Sequence, residues 1–144
     1  MLSVLTLSPP RFRAAPAGPT ALPAGAHKYG SLLSYHDSQA AVTTISVQRP
    51  AAGTPKRRRC GTLPKGAKPR PRHCTRYLTI TSLTHDDHAG VNRLRFTGRV
   101  ARHKLPPGRY RLLAIARNGA RTSAPRQVRF QIKPADLVSR AQAR

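Results

Sequence analysis

The chain is poor in acid. Four Asp residues (Asp37, Asp86, Asp87 and Asp136) stand against 27 Lys and Arg in 144 residues, giving a net charge of +23. A paired-carboxylate mechanism has almost nothing to be built from. The sequence also has no nucleophile elbow, no HExxH and no phosphate-cradling Gly loop. The expectation is a protein without catalysis, cofactor, bound metal or small-molecule substrate. Trp is absent and there are only three Phe, which is thin for a large core but adequate for a two-layer sheet. No stretch approaches the ~18 apolar residues of a membrane span. Met1 to Leu7 has no basic n-region, and its apolar run is shorter than the ~7–15 residues a signal peptide needs. Long helices are disfavoured by 14 Pro and 10 Gly, because Pro breaks helix interiors and Gly weakens them.

What is present is alternation at period two, bounded by Pro and Gly. Leu5 and Leu7 alternate before Pro9 and Pro10. Leu33 and Tyr35 mark a second strand. Ala41, Thr43, Ile45 and Val47 share one face of a third, which is rich in the β-branched residues a pleated surface favours. Leu78 and Ile80 continue one face of a strand after Cys74. Leu94 and Phe96 follow, with Arg93 and Arg95 directed to solvent. Tyr110, Leu112, Ala114 and Ala116 form the clearest strand, entered through Pro106-Pro107-Gly108. Val128, Phe130 and Ile132 form the last. About seven strands in one antiparallel domain, residues 1–133, are predicted, with residues 134–144 as a tail. This is an all-β chain with one wet sheet face and the strand count of an immunoglobulin-type sandwich.

Residues 49–73 read as a long loop with nine basic residues and no acid. Cys60 and Cys74 are the only cysteines. A disulfide between them would close a loop of about 15 residues, worth roughly 3 kcal/mol by loop-closure entropy. A pair of free thiols, or half of a metal site, is the alternative, although zinc wants four ligands and only His73 lies beside them. Lys56, Arg57, Arg58, Arg59, Lys65, Lys68, Arg70 and Arg72 make the strongest basic patch. Such a patch neutralises phosphates and releases counterions. Single-strand binders also need aromatics to stack on, and only Tyr77 is close. The expected partner is therefore a non-specific one, nucleic acid or an anionic polymer of the cell envelope. The alternative is that the Arg content reflects coding bias spread over exposed faces.

His85-Asp86-Asp87-His88 is the densest set of potential ligands. Neighbouring residues in a strand point to opposite faces, and Ala89-Gly90 is a turn signal. The segment reads as a solvated hairpin tip, and His36-Asp37 reads the same way. Tyr110 is expected either in the core or with its hydroxyl tied to upstream backbone, as in a tyrosine corner.

Several stretches together resemble a known family. They are Leu5-Thr6-Leu7-Ser8-Pro9-Pro10-Arg11-Phe12, Leu33-Ser34-Tyr35, Ile45-Ser46-Val47-Gln48-Arg49, Cys74-Thr75-Arg76-Tyr77, and Asn92 through Arg99. Leu105 through Leu112, Ser123-Ala124-Pro125 and Val128 through Ile132 complete the set. In order and spacing they resemble the Arg-rich Ig-like (fibronectin/immunoglobulin-type) sandwich modules of secreted or surface proteins from high-GC bacteria. The resemblance implies a structural or adhesion-type module, extracellular or on the cell surface, with neighbouring modules in a larger chain and a signal peptide upstream. Arg117-Asn118-Gly119-Ala120-Arg121 departs from the Asp-x-Ala-Gly-Asn turn of such modules, and any role of that Asp is missing here.

Overall fold

A computed structural model describes residues 1–25, 28–56, 58–63, 65–66 and 74–134. The described chain is all-β, with no helix among these residues. The elements are β1 (Leu2–Ser8), β2 (Arg11–Phe12), β3 (Ala21–Pro23), β4 (Ser31–Asp37), β5 (Ala41–Lys56), β6 (Arg59–Thr62) and β7 (Cys74–Asp87). They continue as β8 (Gly90–Phe96), β9 (Arg99–Val100), β10 (His103–Lys104), β11 (Gly108–Asn118), β12 (Arg121–Thr122) and β13 (Arg126–Ile132). Seven of these are long: β1, β4, β5, β7, β8, β11 and β13. The expected strand count therefore describes the frame, and the short elements are its edges and corners.

Two sheets face each other. The smaller has the order β1-β4-β8-β3, and the larger runs β2-β13-β11-β5, with β7 and β6 both pairing with β5. All the long-strand pairings are antiparallel. The exception in the larger sheet is β2, which lies parallel to β13. The chain thus starts in one sheet, turns at Pro9-Pro10 and enters the other.

Alternation sets the core. Leu33 and Tyr35 of β4, Ile45 and Val47 of β5, Leu94 and Phe96 of β8, Leu112 and Ala114 of β11, and Phe130 and Ile132 of β13 are all buried. The scarce aromatics are concentrated. Phe12, Phe96 and Phe130 form one cluster with Tyr110. Phe130 lies 5.2 Å from Phe96 edge-on, and 5.6 and 5.5 Å from the stacked rings of Phe12 and Tyr110. Phe96 comes from the smaller sheet and the others from the larger, so the cluster joins the layers. Offset and edge-on ring pairs contribute about 0.5–1.5 kcal/mol each beyond area burial. The Tyr110 hydroxyl donates to the Pro106 carbonyl at 2.6 Å, the upstream backbone tie that a tyrosine corner makes.

Several expectations are corrected. β5 continues to Lys56 and forms a hairpin with β6, through Pro55↔Cys60 and Lys56↔Arg59. Residues 49–56 are therefore strand, not loop. They pair along β7 from Arg49↔Leu78 to Gly53↔Cys74, and that pairing satisfies backbone groups a loop would leave to water. The shared face of Leu78 and Ile80 does not enter the core. A bulge between Val47 and Gln48 shifts the register, and Ile80 is left 39% exposed, as an extra residue in a bulged strand is. A second bulge, between Ser3 and Thr6 of β1, makes Leu2 and Leu7 the buried pair there rather than Leu5 and Leu7. Arg95 is half-buried and donates to the Tyr29 and Gly25 carbonyls, whereas Arg93 is exposed as expected. The β11–β12 hairpin turns at Gly119-Ala120, since Asn118 pairs with Arg121. Gly119, at φ 58°, holds the first central position, where a type II′ turn calls for glycine. Of the predicted tail, all but Pro134 lies outside the described residues.

Candidate functional site

The two cysteines are joined, as the spacing suggested, with Cα atoms 5.8 Å apart. Both sit beside Gly53 of β5. β6 reaches it through Thr62 and β7 through Cys74. A Cβ on Gly53 would collide with Cys60 Sγ and would stand 2.6 Å from the Gly61 carbonyl oxygen. The disulfide passes over this residue because nothing projects from it. Lys56 and Arg59 close the adjoining hairpin opposite one another. They, Arg58 in its turn, and Lys65 are all exposed. Arg57, Lys68, Arg70 and Arg72 lie outside the described residues. The structure therefore brings three members of the predicted basic patch onto one hairpin.

A second basic surface was not anticipated. An open groove of about 820 Å³ crosses the outer face of the larger sheet, and Arg11, Arg109 and Arg129 project into it beside Gln131, Pro50 and Tyr77. The pleat explains the grouping. Each Arg immediately precedes a core aromatic: Arg11 before Phe12, Arg109 before Tyr110, Arg129 before Phe130. Successive side chains point to opposite faces, so gathering the three rings inside gathers the three guanidinium groups outside. The registers Arg11↔Gln131 and Arg109↔Gln131 align the strands that carry them. The repeated Arg-aromatic dipeptide was the signal available in the sequence.

The groove arginines differ from Arg99 and Arg111 in what they touch. Arg99 is buried and donates to the carbonyls of Gly18, Ala15, Pro16 and Arg102 at 2.8–3.2 Å. It organises the segment between β2 and β3. Arg111 lies 3.6 Å over the Tyr77 ring and donates to Gln48 and Gln127 at 2.6 Å each. Among the described residues, the side chains of Arg11, Arg109 and Arg129 have no hydrogen-bond or ion-pair partner, and no carboxylate lines the groove.

The carboxylates are elsewhere, and two of them are buried. Asp37 and Asp87 are enclosed between the sheets, so the solvated-tip readings fail for these residues. The strand simply continues to Asp87. His85 and Asp87, two apart, then face inward together, while Asp86 is exposed. Tyr35 donates to Asp87 Oδ1 at 2.5 Å and Thr43 donates to Oδ2. His85 Nδ1 lies 2.8 Å from Oδ1. Burial opposes ionisation of Asp87, but hydrogen bonds from Thr43, Tyr35, His85 and Asp37 prevail and hold its carboxyl below the usual range. Burial, and then the hydrogen bond to Asp87, push the Asp37 carboxyl up. The two shifts run in opposite directions, as they do where neighbouring buried carboxyls cannot both ionise. Burial and the Asp87 contact also raise the Tyr35 phenol. Asn92 closes the adjoining turn, accepting from the His88 N–H at 3.1 Å and donating to the His88 carbonyl at 2.9 Å. Among the described residues no set of three or more His, Cys or Asp side chains is arranged to hold a metal, and no helix is long and apolar enough to cross a membrane.

No protein-family description, curated protein or solved structure matches this chain.

Proposed function

We propose that the chain is a non-enzymatic Ig-like module, structural or adhesive in role, of an exported bacterial protein at the cell surface or outside it. The observation that carries this reading is strand order. Counting only the long strands, the first, second and fifth share one sheet, and the fourth, third, sixth and seventh share the other in that sequence. An immunoglobulin constant-type domain pairs its strands as ABED and CFG. The present order follows from it by moving the fourth strand across to lie beside the third. The disulfide supports export, because such bonds persist in oxidising compartments. Enclosure of Asp37 and Asp87 supports the absence of catalysis, since it withdraws half of the carboxylates from any substrate.

The test is thiol labelling of the protein recovered from culture medium or cell envelope, with and without reductant. Labelling of Cys60 and Cys74 only after reduction is the expected result. Recovery of the protein only from the cytoplasm, with both thiols freely labelled, would overturn the export reading.

A second reading has its own observation. Lys56, Arg58 and Arg59 stand together, exposed, on one hairpin, as a polyanion-binding finger would. Replacing all three with Gln should then abolish heparin or DNA binding while leaving the fold intact.

A further inference from the structure

The outer groove carries a more specific assignment, which competes with the basic-hairpin reading above. We infer that Arg11, Arg109 and Arg129 form the seat of an extended polyanion, recognised through its phosphate or sulfate groups and not through bases.

The unliganded arrangement is costly. Arg111 and Arg129 are directly opposed across β11 and β13, and like charges so placed destabilise a sheet. Arg111 is anchored by Gln48, Gln127 and the Tyr77 ring, but the other three guanidinium groups have no compensating contact. Planar guanidinium forks match phosphate and sulfate oxygens in pairs, so an anion in the groove would supply the missing partners.

The groove is also long. From β2 to β7 the face spans four inter-strand gaps, about 19 Å at the usual strand spacing. Thr75, at its far side, adjoins Cys74 and hence the basic hairpin. A single phosphate would leave most of this track unused, whereas a flexible chain of charges would follow it.

Nucleobases gain affinity by stacking on aromatic faces. The groove offers little of this: Tyr110 and Phe130, which also line it, are buried, and Arg111 covers one face of the Tyr77 ring. Recognition is left to backbone charge.

The experiment uses the full chain, fluorescence anisotropy and two labelled probes of equal charge: a short inorganic polyphosphate and a dT oligonucleotide. Three charge-matched triple substitutions to Gln are compared: the groove set Arg11, Arg109 and Arg129; the hairpin set Lys56, Arg58 and Arg59; and a distant set Arg93, Arg117 and Arg121. For polyphosphate, the groove set should lose on the order of tenfold more affinity than the distant set, and its log–log salt slope should fall by about 2, at roughly 0.7 per lost contact. Its melting temperature should not drop, since removed repulsion is the only change. Equal losses in the groove and distant sets would mean diffuse charge and overturn the seat. A loss confined to the hairpin set would overturn it in favour of the finger. Tighter binding of the dT probe than of polyphosphate would overturn recognition without bases. Should the Gln set fail to fold, Arg→Lys at the same three positions retains charge and removes the forks. A several-fold loss with an unchanged salt slope is then expected, and unchanged affinity would overturn the fork geometry.

Discussion

The two ends of the sandwich are closed by opposite chemistry. At one end Phe12, Phe96, Phe130 and Tyr110 lock the sheets through ring contacts alone. At the other, Tyr35 of the smaller sheet reaches Asp87 of the larger, with Thr43, His85 and Asp37 around it. The apolar end depends on shape, and its contribution does not change with pH. The polar end depends on hydrogen bonds to an ionised Asp87 beside an Asp37 whose carboxyl burial pushes up. A chain with few aromatics has gathered its three Phe and Tyr110 at one end and filled the other with hydrogen bonds around Tyr35. Such a network specifies a unique arrangement only while each member is satisfied.

The largest break in this comparison is Phe130→Ala. It empties the centre of the ring cluster and should cost about 3–5 kcal/mol, read by urea denaturation and equal at acid and neutral pH. Next is Asp87→Ala, which orphans Tyr35, Thr43 and Asp37 together. It should cost about 3 kcal/mol at neutral pH by the loss of charge-assisted bonds. The deficit should narrow as pH falls, because a depressed carboxyl contributes stability above its unfolded pKa and loses it as pH drops through the folded one. Tyr110→Phe keeps the ring and removes the tie to Pro106. A cost of about 1 kcal/mol is expected, again without pH dependence. The smallest change is the most diagnostic. Asp37→Asn keeps a donor toward Asp87 without needing a proton. The raised Asp37 carboxyl stabilises the wild type at low pH and ceases to as pH rises through its folded value. The variant should therefore overtake the wild type on the alkaline side, seen as crossing melting curves across a pH series.

The apolar end was far more legible than the polar one. Phe96, Tyr110, Phe130 and their neighbours sit in alternating runs, and a period-two pattern states which face they take. The Asp pair was hidden by its own composition. His85-Asp86-Asp87-His88 beside Ala-Gly has the polarity of a turn, and its partner Tyr35 lies 52 residues from Asp87 in sequence. Nothing local marks the strand as continuing to Asp87. The bulge that exposes Ile80 was equally hidden, since an extra residue in a register leaves no sign in composition. The groove falls between these cases. Its arginines were visible as outward positions, but their convergence depended on β2 lying beside β13, a pairing that alternation does not encode.

That pairing also bears on how the domain answers force. β2 runs parallel to β13, near opposite ends of the described chain. Their backbone bonds, including Gln131 N–H to the Pro10 carbonyl and Lys133 N–H to the Phe12 carbonyl, lie across the line between those ends. A pull applied at both ends would load these bonds side by side in shear, all at once, instead of peeling them one after another. In a tethered chain under flow or traction, this seam would be the clasp that yields first or not at all.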